Sequence, residues 1–168
     1  KNNPFANLPE EQKFDVLDLE NLQSVLDEIN CSGEKVLFVM DDVVNDLTKN
    51  AKLKNLMAKV CMNRRHLTSD GESGSVSIIL SSQVFNRIPA PIRKCASHII
   101  LYATKNKKEI ETIFDEVITI PKSEYFEIMR YCFDKQHNFM YIDTQKSDER
   151  MFHKNFNKLE FQLPSAFE

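Results

Sequence analysis

The sequence predicts an α/β protein with a mostly parallel sheet flanked by helices. Short apolar runs alternate with stretches of helical periodicity, and this alternation is typical of a doubly wound parallel sheet. The clearest run, Val36–Met40, lies between Gly33 and a pair of acids. Such a short, bounded run is typical of a strand buried on both faces. With 168 residues, the chain has the length of one domain with a sizeable core.

Periodicity and capping signals predict each element in order along the chain. Apolar residues at helical spacing predict a first helix from Leu19 to Ile29, with Asp18 as its N-cap. A strand over 35–40 follows, and then a helix whose apolar stripe runs from Leu53 to Cys61. The later elements are predicted on the same grounds: strands over 76–80, 98–102 and 139–143, a short helix within 84–97, and helices over 107–116 and 123–133.

Composition divides the chain into a core and two flanking segments. Residues 1–18 are polar and irregular, and they are predicted to be a linker or a lid. Residues 19–145 hold the alternating strands and helices and form the predicted core. The tail over 146–168 is polar but rich in phenylalanine, which predicts an edge strand or a contact with another subunit. Its phenylalanines are Phe152, Phe156, Phe161 and Phe167.

Charge and composition exclude some classes of function. The net charge of −3 does not point to nucleic acid for the chain as a whole, so any such contact must be local. No apolar run reaches the roughly 18 residues that a membrane span needs, and the first residues do not resemble a signal peptide. Cysteines without CxxC spacing favour reduced, buried thiols in an intracellular compartment. The histidines lack metal-ligand spacing.

Two acids, Asp41 and Asp42, come directly after the clearest strand. Open α/β sheets bind ligands in the crevice beyond the carboxyl ends of their strands. Right-handed crossovers would bring Asp42 to the same edge as Gln83, which follows the strand over 76–80. In nucleoside triphosphatases such a strand is called Walker B, where one acid helps to hold Mg²⁺ and the next orients water. Response regulators, nucleases, Rossmann domains and plain strand-to-helix caps have similar strand ends.

Four segments in a fixed order strengthen the nucleotide interpretation. They are VLFVMDD at 36–42, NRRH at 63–66, SIILSSQ at 77–83 and IPAPIRKCASHIILY at 88–102. Together they resemble the FtsK–HerA group of ring-forming motor ATPases, and within it the genome-packaging ATPases of large DNA viruses, virophages and related self-replicating elements. The resemblance covers roughly residues 35–118. It implies a RecA-like sheet of the P-loop NTPase type that is incomplete at the N-terminus.

The resemblance also implies roles for individual residues. Asp42 corresponds to the catalytic carboxylate, Asp41 to the acid associated with Mg²⁺, and Gln83 to the sensor of the γ-phosphate. The family supplies arginines to the nucleotide of a neighbouring subunit. The candidates for this role or for DNA contact are Arg64, Arg65, Arg87 and Arg93. The choice among them stays open, with the Arg64–Arg65 pair preferred.

Cofactors and partners follow from the same resemblance. The implied cofactors are ATP and Mg²⁺. The implied partners are double-stranded DNA bound without sequence preference, further copies of the chain in a ring, and a capsid or portal component. The expected location is intracellular, in a viral factory or a virion, without a membrane. The predicted function is an ATPase that moves a viral genome into the capsid.

One departure from the family pattern is the lack of a GxxxxGK[ST] motif, which cradles phosphates through backbone amides and a lysine. The chain is therefore expected to be the C-terminal part of a longer protein and to be inactive as an ATPase by itself. Two other hypotheses stay open. One is a non-catalytic α/β interaction domain that derives from the same fold. The other is a phosphoacceptor domain with Asp41 and Asp42 in its acidic pocket, although no strand end clearly supplies the additional Asp and Lys.

Overall fold

The computed structural model describes residues 5–71 and 73–159, which form an α/β structure. The helices are α1 (Leu19–Ile29), α2 (Val44–Lys49), α3 (Ala51–Asn63), α4 (Ala90–Arg93), α5 (Lys107–Val117) and α6 (Lys122–Cys132). The strands are β1 (Lys35–Asp41), β2 (Ser75–Ser81), β3 (His98–Tyr102), β4 (Phe139–Asp143), β5 (Phe152–Lys154) and β6 (Asn157–Lys158). Short 3-10 helices cover Glu10–Gln12 and Phe85–Arg87.

The chain divides into two compact units. The first contains the described residues up to Gln83 together with Arg87–Ile92. The second contains Val84–Asn86 and the described residues from Arg93 onward. The predicted core over 19–145 thus contributes to both units, and each has its own sheet.

Strands β1 and β2 form the sheet of the first unit and pair in parallel, as predicted. Their register runs from Lys35 opposite Ser75 to Asp41 opposite Ser81. Because the pairing is parallel, the carboxyl ends of both strands lie at one edge of the sheet, where the predicted site is located.

Helix α1, which precedes β1, begins where the sequence predicts. The Asp18 side chain caps it by accepting a hydrogen bond of 2.8 Å from the Asn21 amide.

The prediction that β1 is buried on both faces is wrong. Burial alternates along the strand, and Met40 is buried whereas Leu37 and Val39 are 54% and 46% exposed. On β2, Ile79 is 55% exposed while Val76 is buried. Within the described residues, this sheet is therefore buried on one face only. An unbroken apolar run does not reveal whether a second layer covers the strand.

A buried threonine, Thr68, lies against the beginnings of both β1 and β2. The Thr68 hydroxyl donates to the Glu34 carbonyl oxygen at 2.8 Å, and the Gly33 amide donates to the Thr68 carbonyl oxygen at 2.7 Å. Gly74, which precedes β2, has a φ of 98°, and a Cβ there would lie 2.5 Å from that carbonyl oxygen. The glycine is needed for its positive φ and for this close approach.

The second unit differs from the prediction in the direction of its strands. Strands β3, β4, β5 and β6 form one sheet in that order, and all of its pairs are antiparallel. The mostly parallel sheet is therefore a correct prediction for β1 and β2 alone. Two helices, α5 and α6, separate β3 from β4, just as α2 and α3 separate β1 from β2, which are parallel. The pattern of apolar runs and helices therefore gives the positions of the strands but not their direction.

Part of the predicted tail belongs to this second sheet. Strand β5 pairs with β4, and the side chain of Phe152 is fully buried in the apolar core of the unit. The opposite face of the sheet carries exposed aromatic rings, including Tyr102 and Phe156. Residues 160–168, with Phe161 and Phe167, lie outside the described residues, as do residues 1–4 of the predicted linker.

All four cysteines are free thiols, but their environments differ. Cys61 and Cys132 are buried as expected, whereas Cys31 is exposed. Burial raises the pKa of the Cys132 thiol to about 11. Among the helices of the described residues, none is long and apolar enough to cross a membrane.

Candidate functional site

The two predicted acids lie where β1 ends and the chain turns toward α2. Asp41 is the last residue of β1, and Asp42 follows with a φ of 53°. This left-handed conformation is uncommon outside glycine, although Asp and Asn adopt it more readily than most other residues. Both acids are exposed. The turn therefore presents two carboxylates at the carboxyl edge of the sheet.

The end of β2 contacts both acids through one residue, Ser81. Its hydroxyl donates a short hydrogen bond to Oδ1 of Asp41. Its carbonyl oxygen accepts a hydrogen bond of 3.3 Å from the Asp42 amide. The parallel register places Ser81 directly opposite Asp41 and accounts for both contacts.

The predicted sensor Gln83 lies beside the predicted catalytic acid. Its Nε2 donates to Oδ2 of Asp42 at 3.4 Å, which is a long hydrogen bond between exposed side chains. Sequence reasoning placed these two residues at one edge of the sheet, and the structure brings them into contact. The sequence analysis missed the contacts of Ser81. The runs 36–41 and 76–81 have equal length, which is compatible with the pairing of Ser81 with Asp41, but equal length alone does not define the register.

The carboxylates of Asp41 and Asp42 suit a hard cation that phosphate oxygens would also bind. Mg²⁺ prefers oxygen ligands and usually binds through one or two carboxylates together with substrate phosphates and waters. Asp41 and Asp42 supply such carboxylates at the exposed edge. Within the described ranges, no cluster of three or more acidic, histidine or cysteine side chains could hold a metal. The acids thus fit a shared Mg²⁺ and do not form an all-protein cage.

The Arg64–Arg65 pair lies at the other end of the sheet. The Val76 amide, at the beginning of β2, donates to the Arg64 carbonyl oxygen at 2.7 Å. From Val76 to Ser81 the strand rises about 16 Å. The guanidinium of Arg64 donates to the Cys61 carbonyl oxygen at 3.0 Å, while Arg65 is exposed. The structure does not bring these arginines to Asp42 of the same chain.

Arg87 and Arg93 have different environments from each other. Arg87 belongs to the first unit and lies four residues after Gln83, at most about 14 Å along the chain. Its side chain is exposed, and no hydrogen bond or ion pair is found for it among the residues that the structure describes.

Arg93 belongs to the second unit, and its side chain is only 9% exposed. It pairs with Glu116 through two hydrogen bonds, of which the one from Nε measures 2.8 Å. It also donates to the Asn86 carbonyl oxygen at 3.1 Å and lies over the Phe85 ring. The hydrogen bond from Arg93 holds the pKa of Glu116 below its usual range. Arg93 therefore stabilises the second unit.

The three glycines do not form a phosphate cradle beside the acids. Gly33 and Gly74 lie just before β1 and β2, and Gly71 lies in the loop that leads into β2. They are thus at the end of the sheet opposite Asp42. Any phosphate cradle at Asp42 would need another segment of backbone.

Comparison of the chain with family models, curated proteins and solved structures found no match.

Proposed function

We propose that this chain is the C-terminal part of the ATPase core of a genome-packaging motor of the FtsK–HerA type. The observation that carries the proposal is the contact of Asp42 with Gln83, 3.4 Å apart at the ends of two parallel strands. Asp41 lies directly beside this pair and is held by Ser81. The resemblance to the FtsK–HerA group implies an acid pair beside an amide side chain at the nucleotide site, and Asp41, Asp42 and Gln83 have this arrangement.

Each residue then has a distinct chemical role in hydrolysis. Asp41 would hold Mg²⁺, Asp42 would orient the attacking water, and Gln83 would contact the γ-phosphate. Mg²⁺ neutralises charge on the β- and γ-phosphate oxygens when it is bound. A neighbouring subunit supplies an arginine to the developing charge, so ATP binds at an interface between subunits.

The edges of the β1–β2 sheet can accept the strand that would carry a P-loop. Within the described residues, β1 and β2 pair only with each other, so each retains an unpaired edge. A further strand parallel to them would end at the same edge as Asp41 and Asp42. The RecA-like part of the proposal requires such a strand upstream in the protein. The exposed side chains of Leu37, Val39 and Ile79 offer apolar surface to a further layer.

Double-stranded DNA is the proposed substrate of translocation, with the viral capsid as its destination. Contact with the DNA backbone through charge would be independent of sequence and sensitive to salt. Because the net charge is −3, this contact must come from local basic residues of a ring assembled from several copies. A capsid or portal component would hold that ring.

The second candidate is a non-catalytic α/β interaction domain. The exposed apolar side chains on the β1–β2 sheet favour it, because such a face can dock on a partner without any chemistry. In that case Asp42 and Gln83 would only stabilise the turn at the end of β1. The two candidates differ in whether Asp42 affects ATP hydrolysis.

Replacement of Asp42 by Asn in the full-length protein tests the proposal. Asn tolerates the positive φ at this position, so the turn is retained while the water-orienting charge is lost. We expect nucleotide binding to persist and steady-state ATP turnover to fall by about 10² to 10⁴-fold. The control is Asp115→Asn, which removes an exposed acid from α5. Unchanged turnover in Asp42→Asn would contradict the ATPase and leave the interaction domain.

A further inference from the structure

Ser81 occupies a position that the family resemblance leaves without a role. It is the last residue of β2 and lies opposite Asp41 in the parallel register. Its side chain donates to Oδ1 of Asp41, whereas its backbone accepts from the Asp42 amide. A single residue thus contacts both acids, and only one of the two contacts depends on its side chain.

The hydroxyl of Ser81 restricts the orientation of the Asp41 carboxylate. A hydroxyl that donates to one carboxylate oxygen leaves the other oxygen to accept from a different donor. The structure gives Asp41 no second side-chain hydrogen bond within its described part. Oδ2 therefore has no donor among the described residues, and it is the oxygen that would accept from a metal-bound water. The carboxylate is exposed and would rotate between rotamers without this bond.

We infer that Ser81 is a positioning residue that orients Asp41 toward Mg²⁺ at the nucleotide site. The inference rests on the proposed ATPase function and adds a residue that acts through Asp41. Groups that orient metal ligands typically change metal affinity by about 10 to 100-fold when they are removed. Because Asp41 would bind Mg²⁺ through water and share it with phosphates, we expect a change of about tenfold.

A neighbouring serine on the same strand offers a matched control. Ser77 is exposed and lies on the same face of β2 as Ser81, because side chains two or four residues apart share a face. Its register partner is Leu37, which has no carboxylate. Ser77→Ala therefore removes an equivalent hydroxyl from the same strand without affecting either acid.

The test compares Ser81→Ala, Ser81→Thr and Ser77→Ala in the full-length protein. Binding of a fluorescent ATP analogue is titrated in Mg²⁺ and in EDTA, and ATP turnover is measured against Mg²⁺ concentration. For Ser81→Ala we expect a half-saturating Mg²⁺ concentration about tenfold higher. We also expect a smaller gain in nucleotide affinity from Mg²⁺, with unchanged binding in EDTA. Ser81→Thr keeps the hydroxyl and should restore both values, and Ser77→Ala should resemble the wild type.

Two outcomes would overturn the inference about Ser81. One is a wild-type Mg²⁺ requirement in Ser81→Ala, and the other is an equal loss of nucleotide affinity in Mg²⁺ and in EDTA, which indicates a structural role alone. Asp42→Asn separates these outcomes from a failure of the proposed function. If Asp42→Asn abolishes turnover while Ser81→Ala behaves as the wild type, the ATPase stands and the role of Ser81 is rejected. Normal turnover in Asp42→Asn rejects both.

Discussion

At the scale of single residues, burial and pairing decide which of the predicted groups remain available to a ligand. Arg87 and Arg93 belong to the same stretch of sequence and were equivalent candidates. The structure buries the side chain of Arg93 and pairs it with Glu116, while Arg87 is exposed. A guanidinium that is already paired with a carboxylate through two hydrogen bonds would have to give up that pair to reach a phosphate. Arg93 is therefore the least suitable of the four as a trans-acting arginine.

The pair of Arg93 with Glu116 should make stability depend on pH. The hydrogen bond from Arg93 lowers the pKa of Glu116 in the folded state. The stabilisation is present above the pKa of the unfolded state and is lost as the pH falls through the folded pKa. Glu116→Gln should reduce the free energy of unfolding by about 1 kcal/mol at pH 7, since solvent screens this partly exposed pair. The reduction should shrink as the pH falls toward 3, because the wild-type carboxyl increasingly takes up a proton.

Urea unfolding of the chain at pH 7 and at pH 3 measures this dependence. Glu111→Gln is the control, because it removes an exposed acid from the same helix. A destabilisation of Glu116→Gln that is equal at both pH values would contradict an ionic origin.

At the scale of elements, local signals in the sequence predicted most helices and strands, although not α2 or β6, and they predicted the pairing of the strands less well. Helix α1 begins and ends as predicted because its apolar period and its Asp18 cap are local features. The direction of β4 was not predictable from its own residues, and the connection before it does not reveal it either, because two helices also precede β2, which pairs in parallel. Strand β5 has three residues, too few for a periodic signal. The exposure of one face of β1 was not predictable from its residues, because it depends on whether another layer of structure covers that face.

In the candidate site too, features that follow from local sequence signals were predictable, whereas contacts that depend on strand pairing were not. The acids and Gln83 were predictable because strand ends and crossover handedness are general rules of α/β sheets. The contacts of Ser81 depend on the register of β1 and β2, which an apolar run alone does not define. The pairing of Arg93 with Glu116 joins residues far apart in sequence, and no local pattern indicates it.

The close approach of Gly74 to Thr68 gives a prediction about the sheet. Gly74→Ala places a methyl group 2.5 Å from the Thr68 carbonyl oxygen, at a residue whose φ is 98°. We expect a loss of about 1 to 3 kcal/mol in the free energy of unfolding, measured with urea. Gly71→Ala is a matched control, because Gly71 has a φ of 102° but no atom within 4 Å of the added Cβ. It isolates the cost of the backbone conformation, so equal losses in both variants would contradict the steric argument.

At the scale of the whole molecule, the candidate site belongs to one unit while the arginines are distributed over both. Asp41, Asp42, Ser81 and Gln83 all lie in the first unit. So do Arg64 and Arg65, but at the far end of its sheet, whereas Arg87 follows Gln83 closely. In a ring, an arginine that serves the nucleotide of a neighbouring subunit must be exposed and without a strong partner in its own chain. Arg64 and Arg93 already donate hydrogen bonds to partners in their own chain. Arg65 and Arg87 are exposed, so we expect one of these two to act in trans.

Mixing of subunits tests this expectation directly. A trans-acting arginine contributes nothing to the site of its own subunit, so its loss can be complemented by another subunit. Alanine variants of the four arginines, Arg64, Arg65, Arg87 and Arg93, are each mixed with Asp42→Asn in the full-length protein. Mixed interfaces then contain one intact acid and one intact arginine.

Only the true trans-acting arginine should restore turnover, because such a cation accelerates hydrolysis by about 10³ to 10⁵-fold in characterised cases. Arg93→Ala should instead lower the stability of the second unit, which unfolding measurements detect. Restoration by Arg64→Ala or Arg93→Ala would contradict the expectation that Arg65 or Arg87 acts in trans. If none of the four restores turnover while the ring stays intact by sedimentation, the arginine is supplied by another part of the protein.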